Sequence, residues 1–228
     1  MLLEFNKFLS EGTGQDFLLI SSKGGCSHNF VITHLLLNAV RNQKKVRLIC
    51  CGESRQFYSL VCQRAGVSLH QMESSGTLRT SCLLSAWKDQ ISAGAAPTVP
   101  DDLASSSASD EKLVILDDLL PLLDFVTPAE VVQLVYRLKS LTTGTLAVGI
   151  RTEDRHAEQT MKLIRTMCTL WVEVHPLSTG YSKEIHGVLE MWSFRPDRGG
   201  ASQRKMHYRV TERGAKLLII GGHVAVST

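Results

Sequence analysis

With 228 residues, the chain is long enough for one full domain with a large core and short for two. Hydrophobic residues make up 43% and charged residues 21%, which argues against wholesale disorder, and a net charge of +3 does not by itself mark a nucleic-acid binder. No apolar run approaches the roughly 20 residues of a membrane span, the first residues do not have the pattern of a signal peptide, and six cysteines without a C-x-x-C pair suit a reduced nuclear or cytosolic protein.

The chain opens with a strand–loop–helix pattern. Residues 1–12 predict a short helix that packs against the domain, and Phe17–Ile20 predicts the first core strand. A loop of small residues then leads into an amphipathic helix, whose apolar positions recur with a period of 3.6 at Phe30, Val31, Leu35, Leu36, Ala39 and Val40. Such a unit opens many nucleotide-binding α/β domains, because the loop amides and the helix N-terminus can hold phosphate.

The loop differs from a working phosphate loop, G-x-x-x-x-G-K-[ST], at every fixed position. Ser22 and Ser27 stand for the two glycines, His28 for the lysine and Asn29 for the hydroxyl residue. The missing lysine and hydroxyl would contact phosphate and Mg²⁺, and their loss removes about two to four orders of magnitude in binding or rate. Lys23 lies inside the loop and could turn inward, but we favour a plain connection between strand and helix.

The next segment predicts one strand, two helices and an insert. Val46–Cys51 suits a parallel strand that is buried on both faces. Ser54 is a plausible N-cap for a helix that ends at Gly66, and a further helix is predicted near 78–91. Residues 92–112 are rich in small residues, prolines, serines and acids, so we expect a flexible surface insert.

A second signal of a nucleotide site follows the insert. Leu113–Asp118 has four apolar residues of a buried strand and then two aspartates. Ligands of open α/β sheets bind beyond this end of the strands, where Asp117 would hold Mg²⁺ through water in an ATPase. An acid after a strand is common in α/β proteins, but together with the loop it indicates a relic of a P-loop ATPase.

The last part of the chain predicts a change of sheet type. Thr127 and Glu130 form a capping box, and the helix that follows leads to a buried strand at 145–150, a polar loop at 151–155 and a helix to about Met167. From Cys168 onwards, strands follow one another without helices, which predicts an antiparallel extension. We therefore predict a single α/β domain over 1–228, of RecA-like, P-loop type, with a parallel core sheet and a degenerate phosphate loop.

The sequence resembles the Elongator complex subunit 6 family. The stretches that carry the resemblance lie at 21–29, 43–69 (QKKVRLICCGESRQFYSLVCQRAGVSL), 113–119 (LVILDDL) and 177–196 (LSTGYSKEIHGVLEMWSFRP). The resemblance implies a subunit that joins Elongator subunits 4 and 5 in a heterohexameric ring of RecA-like folds. That ring is an accessory part of the larger complex, which modifies the wobble uridine (U34) of certain tRNAs in the cytoplasm and nucleus.

The resemblance and the degenerate loop together predict a non-catalytic subunit with no cofactor, no metal and no membrane partner. By analogy with other RecA-like rings, loops after the last parallel strands face a central pore. We therefore expect Arg151, Arg155 and Lys183 to contact tRNA phosphates, although they could be ordinary surface charges. A second candidate is the basic loop at 195–205, with Arg195, Arg198, Arg204 and Lys205.

Two other functions stay open at this point. One is an active ATPase with a non-standard loop, for which Lys23 and Asp117 are the sequence support. The other is a relative of the recombination mediators that binds single-stranded DNA. Those proteins usually retain the phosphate-loop lysine, and the segment 177–196 fits Elongator better.

Overall fold

One mixed sheet of nine strands organises the protein. In the computed structural model the residues described are 3–10, 16–95, 111–180, 182–194, 202–211 and 214–219. The strands are β1 Phe17–Ser22, β2 Val46–Cys50, β3 Leu78–Cys82, β4 Leu113–Leu116, β5 Thr145–Arg151, β6 Leu170–His175, β7 Gly187–Ser193, β8 Ser202–Thr211 and β9 Gly214–Ile219. Their order in the sheet is β3-β2-β4-β5-β1-β6-β7-β8-β9.

Helices cover both faces of the parallel part of this sheet. They are α1 Leu3–Ser10, α2 Asn29–Arg41, α3 Arg55–Arg64, α4 Leu69–Ser74, α5 Leu83–Ser92, a 3₁₀ helix Leu120–Asp124, α6 Pro128–Leu141 and α7 Arg155–Arg165. Helix α3 begins at the predicted N-cap, because the Ser54 hydroxyl accepts from the Phe57 amide. The predicted capping box of Thr127 and Glu130 opens α6.

The core therefore has two layers, one on each side of the sheet. The first contains side chains from α1 to α4, such as Phe5, Val31 and Tyr58, and extends under β7 and β8. The second lies under α5, α6 and α7 and includes Trp87 and Ile164. Alternate residues of each strand enter opposite layers, which is why the parallel strands are continuous apolar runs.

The helix predicted near 78–91 is wrong over its first five residues. Residues Leu78–Cys82 form β3, which pairs in parallel with β2 at the edge of the sheet. Only Leu78 is buried in this strand. A strand at the edge of a sheet needs few apolar residues, so its sequence shows little of the hydrophobic pattern by which strands are predicted. The short helix α4 was not predicted, since Leu69 is its one buried residue.

The antiparallel extension begins one strand later than predicted. Strand β6 follows helix α7 and pairs in parallel with β1, for example Leu19 with Trp171. A strand after a crossover helix joins its sheet in the parallel direction. The antiparallel pairs are β6–β7, β7–β8 and β8–β9.

The ends of the predicted insert are structured. Ser92 is the last residue of α5, and the Lys112 amide donates to the Lys45 carbonyl oxygen at 2.9 Å. The middle of the insert, 96–110, lies outside the described residues. All six cysteines have free thiols. Within the described ranges, no helix has the length and apolar character needed to cross a membrane.

Candidate functional site

The degenerate phosphate loop lies at the centre of the sheet. It joins β1 to α2, and β1 lies between β5 and β6. The loops that follow the six parallel strands meet at the same edge, which in open α/β sheets is where ligands bind. The site predicted from the sequence is thus assembled in the expected place, and the question is what its side chains do there.

His28, in the lysine position, points into the protein and is fully buried. Its Nε2 lies 2.9 Å from the Asp117 carbonyl oxygen and its Nδ1 lies 2.8 Å from the Ser22 hydroxyl. A carbonyl oxygen only accepts, so Nε2 carries the proton and Nδ1 accepts from Ser22. Burial lowers the pKa of His28, which favours this neutral form. His28 therefore binds strand ends together and does not present a cation to the loop.

Gly149 on β5 makes room for this ring. A Cβ atom at this position would lie 2.5 Å from His28 Nε2 and would overlap the Asp117 carbonyl oxygen. Both contacts are closer than real Cβ atoms allow. The hydrogen bond between His28 and Asp117 therefore depends on the absence of a side chain at 149.

Asp117 is a structural acceptor in this structure. Its Oδ1 accepts from the amides of Cys51, Gly52 and Asp118 at 2.6–2.9 Å. Its Oδ2 accepts from the Glu53 amide at 2.9 Å and from the Tyr58 hydroxyl at 3.1 Å. Burial raises the pKa of the Asp117 carboxyl, and the donated hydrogen bonds oppose that rise. Five donors use the lone pairs that a hydrated Mg²⁺ would need.

The neighbouring carboxylate is also occupied. Asp118 Oδ1 accepts from the amides of Leu120, at 3.0 Å, and Arg151, at 3.1 Å, while its Oδ2 forms an ion pair with Arg151 Nε. Arg151 also lies 3.7 Å from Glu153. The two aspartates after β4 thus fasten the ends of β2 and β5.

Lys23 turns towards β6. Its Nζ lies 3.0 Å from Glu173 Oε2, and its amide donates to the Val174 carbonyl oxygen at 3.1 Å. The side chain is half exposed. This ion pair joins the loop to β6 in the structure, and the inward turn of Lys23 considered from the sequence stays a prediction.

Gly24, Gly25 and Ser27 form the exposed part of the loop, and the Ser27 hydroxyl accepts from the Asn29 amide at 3.2 Å. Gly24 and Gly25 have positive φ angles of 64° and 74°, and a Cβ at Gly24 would meet Pro176 at 2.9 Å. Asn29, in the hydroxyl position, donates to Glu53 Oε1 at 2.6 Å. This bond holds the Glu53 carboxylate beside the N-terminus of α2, which is where a phosphate would bind in a working loop. The side chains of Lys23, His28 and Asn29 are thus bonded to protein groups, namely Glu173, Ser22 with Asp117, and Glu53.

The predicted RNA contacts follow the ends of β5 and β6. Arg151 is the last residue of β5, exposed Arg155 is the first residue of α7, and exposed Lys183 lies between β6 and β7. All three therefore lie at the same edge of the sheet as the loop. Arg151 already forms an ion pair with Asp118, so the side chains of Arg155 and Lys183 are the more accessible to a phosphate. Their role in RNA binding stays a prediction.

The second basic loop is shorter than predicted. Arg204 and Lys205 belong to strand β8, and Lys205 Nζ lies 2.8 Å from Glu190 Oε1. Arg195 and Arg198 lie outside the described residues. Sequence reasoning did not identify Glu53 and Glu173, the carboxylates that bind Asn29 and Lys23. Neither residue stands in a motif, so only the folded geometry reveals them.

Comparison with known proteins gives a consistent family match. The family model described as "Elongation complex protein 6" matches residues 95–212, just over half of the chain. Elongator complex protein 6 of Danio rerio is 28% identical over 249 residues, spanning 92% of this chain and 92% of the relative. Elongator complex protein 6 of Xenopus tropicalis is 23% identical over 275 residues, spanning 99% of this chain and 100% of the relative.

Solved structures share the fold at low sequence identity. The flagellar accessory protein FlaH of Methanocaldococcus jannaschii superposes with a TM-score of 0.65 and 14% identity, covering 95% of each chain. A KaiC-like protein of Pyrococcus horikoshii OT3 superposes with a TM-score of 0.58 and 8% identity, covering 90% of this chain and 89% of the other. Together with the observed sheet, these similarities confirm the predicted RecA-like fold.

Proposed function

The chain belongs to the Elongation complex protein 6 family, and we propose that it serves the Elongator complex as a non-catalytic structural subunit. One observation carries the proposal. His28, in the lysine position of the phosphate loop, is buried and bonded to Ser22 and Asp117. A side chain held in this way cannot neutralise a bound phosphate, which is the task of the lysine in a working loop.

The competing function is an active ATPase with Lys23 as its phosphate ligand. The purified chain is expected to turn over no ATP above a buffer blank, alone or with Mg²⁺. Lys23→Ala is the informative variant, because the lysine is half exposed and its ion pair contributes little to stability. ATP turnover that disappears in Lys23→Ala would contradict the proposal.

We further propose that the chain joins Elongator subunits 4 and 5 in a heterohexameric ring. Family membership and the RecA-like fold support this assembly. Native mass spectrometry of the chain, alone and co-expressed with the two subunits, is the direct measurement. A six-chain species with two copies of each subunit is expected, and a chain that remains monomeric in both preparations would contradict the ring.

Within the ring, the chain is proposed to support tRNA binding and thereby modification of the wobble uridine. The cations at the loop edge, Arg151, Arg155 and Lys183, are the candidate phosphate contacts. Their triple alanine variant should weaken tRNA binding and lower the salt slope of the affinity by roughly two to three, since each phosphate contact adds about 0.7–0.9. An unchanged affinity and slope would contradict these contacts.

Two further variants test whether a change in tRNA binding comes from lost phosphate contacts. The double variant Arg155→Ala/Lys183→Ala leaves the ion pair of Arg151 and Asp118 intact, so it separates lost RNA contacts from a disturbed strand end. Lys44→Ala/Lys88→Ala removes two exposed cations that do not follow the ends of β5 or β6, and it should leave the salt slope unchanged. Single-stranded DNA that displaces tRNA at equal concentration would favour the recombination-mediator alternative.

We propose that the chain functions in the cytoplasm and nucleus. The six free cysteines support a reducing compartment. Fluorescence microscopy of a tagged chain expressed with its partner subunits tests this placement, and accumulation in the secretory pathway would contradict it.

A further inference from the structure

A groove runs along helix α2, from the loop site, where Ser27 and Asn29 line it, to the C-terminal end of the helix at Arg41. Helix α3 and residues 210–211 of β8 and 214–215 of β9 form its other sides, and its volume is about 570 Å³. Residues of α2 line it from Asn29 to Arg41, the whole length of the helix. Thirteen residues at about 1.5 Å each give a groove roughly 20 Å long. It is therefore elongated, and its length matches a short peptide segment.

The walls of the groove are apolar along two helical stripes. Phe30 and Leu37 face it from α2, seven residues apart, and Phe57 and Val61 face it from α3, four residues apart. All four are only partly buried. Val210 of the hairpin also lines the groove and is 38% exposed. Apolar side chains that stay partly exposed on several sides of one groove form the kind of surface that a partner covers.

The end of the groove at the C-termini of α2 and α3 is positively charged. Arg41 and Arg64 line it near the C-terminal ends of α2 and α3, and the groove lining contains no Asp or Glu in the described part of the chain. Arg41 donates to the Ala65 carbonyl oxygen at 3.1 Å, which holds its guanidinium at the groove wall, while Arg64 is exposed. This charge pattern is complementary to carboxylates.

We propose that this groove binds a peptide segment of another Elongator subunit, with apolar side chains against α2 and α3 and carboxylates against Arg41 and Arg64. The proposal rests on membership in the complex, which the proposed function includes. Apolar anchors provide most of the affinity in such a groove, and the charges set orientation and specificity. A small ligand of compact shape would leave much of the 20 Å length empty.

Photo-crosslinking in the assembled complex tests the proposal. p-Benzoylphenylalanine is placed at Val61, inside the groove, and in a second variant at Leu60, which is 52% exposed beside it. The matched control is Leu163 on α7, which is 53% exposed and lies on another helix. Mass spectrometry of the irradiated complex should find crosslinks from positions 60 and 61, and none from 163, to one segment of a partner subunit rich in acidic and apolar residues.

A charge reversal tests whether Arg64 contributes to binding of the peptide. Arg64→Glu should reduce the yield of that crosslink about tenfold, because an attraction of about 1.4 kcal/mol changes occupancy by that factor, whereas Lys88→Glu on α5 should leave it unchanged. Crosslinks to residues of the same chain, to a second copy or to RNA would overturn the proposal. So would a yield no higher than that of the Leu163 control.

The assembly itself is read in the same preparation. If the chain co-purifies with its partner subunits but the crosslink is absent, the proposal that the groove binds a peptide is wrong, and the proposed function is unaffected. A chain that does not co-purify overturns both. The two failures are therefore distinguishable.

Discussion

Asp117→Asn separates a structural carboxylate from a catalytic one. The substituted amide keeps one acceptor oxygen, which can replace Oδ1 and accept from Cys51, Gly52 and Asp118. Its NH₂ group then faces the Glu53 amide, which donates to Oδ2 in the native protein at 2.9 Å. The Tyr58 hydroxyl also donates to Oδ2, and it can turn to accept from the NH₂ group, whereas the Glu53 amide can only donate. The bond from Glu53 is therefore lost, two donors oppose each other and the carboxylate charge is removed, so the free energy of unfolding should fall by about 2–4 kcal/mol.

Urea denaturation monitored by tryptophan fluorescence measures this change in the purified chain. Asp124→Asn is the matched control, since its carboxylate is exposed at the end of the 3₁₀ helix, and we expect a change within about 0.5 kcal/mol. A carboxylate that served only to hold hydrated Mg²⁺ would tolerate the same substitution. A destabilisation of Asp117→Asn as small as that of the control would therefore refute the structural assignment.

Three further predictions concern the same protein. Gly149→Ala should destabilise it by about 3 kcal/mol, because the new Cβ displaces His28 from Asp117; a urea midpoint equal to that of the wild type would contradict this close approach. Burial lowers the pKa of His34 to about 4 and also lowers that of His28, so each of these two histidines binds its proton less readily in the folded state than in the unfolded state. The stability that these two histidines contribute is fully present above pH 6.5 and is lost as the pH falls towards 4, by at most about 1.4 kcal/mol per unit for each group. The raised pKa of Asp117 acts in the opposite direction, so the wild type is compared with His34→Asn by urea denaturation between pH 7 and 5, and equal slopes in the two proteins would contradict the prediction. Thr127→Ala should cost about 1 kcal/mol through loss of the N-cap of α6, measured by thermal unfolding, and an unchanged melting temperature would show that the cap contributes little.

The sequence predicted best the strands that are buried on both faces of the sheet. Strands β1, β2, β4 and β5 are short runs of apolar residues, and a run of this kind has few alternatives to a central parallel strand. The family resemblance implied the same RecA-like fold. The position of the phosphate loop followed from the order strand, loop and helix.

The elements that the sequence missed have weak local signals. Strand β3 owes its place to pairing with β2, and one buried leucine cannot distinguish it from the start of a helix. The direction of β6 depends on the crossover that precedes it, and the alternation of residues within a strand is the same in both directions.

The contacts that the site residues make could not be predicted from the sequence either. The donors that occupy Asp117 are mostly backbone amides, and every non-proline residue has one, so the sequence carries no mark of them. The burial of His28 depends in turn on the missing side chain of Gly149, far away in the chain. A motif comparison shows which residues are absent, and only the structure shows what the replacements do.

The position of β1 has a consequence for synthesis. Its sheet neighbours are β5 and β6, and Phe17 pairs with Leu146, about 130 residues later. At about 5–20 residues per second, roughly 6 to 26 seconds pass between the emergence of this apolar strand and the arrival of its first neighbour. During that interval Phe17–Ile20 has no strand to pair with, and such segments aggregate readily. The nascent chain should therefore depend on chaperones more than its finished stability would suggest, and pulse-chase experiments with ribosome-bound chains ending before and after β6 would measure that dependence.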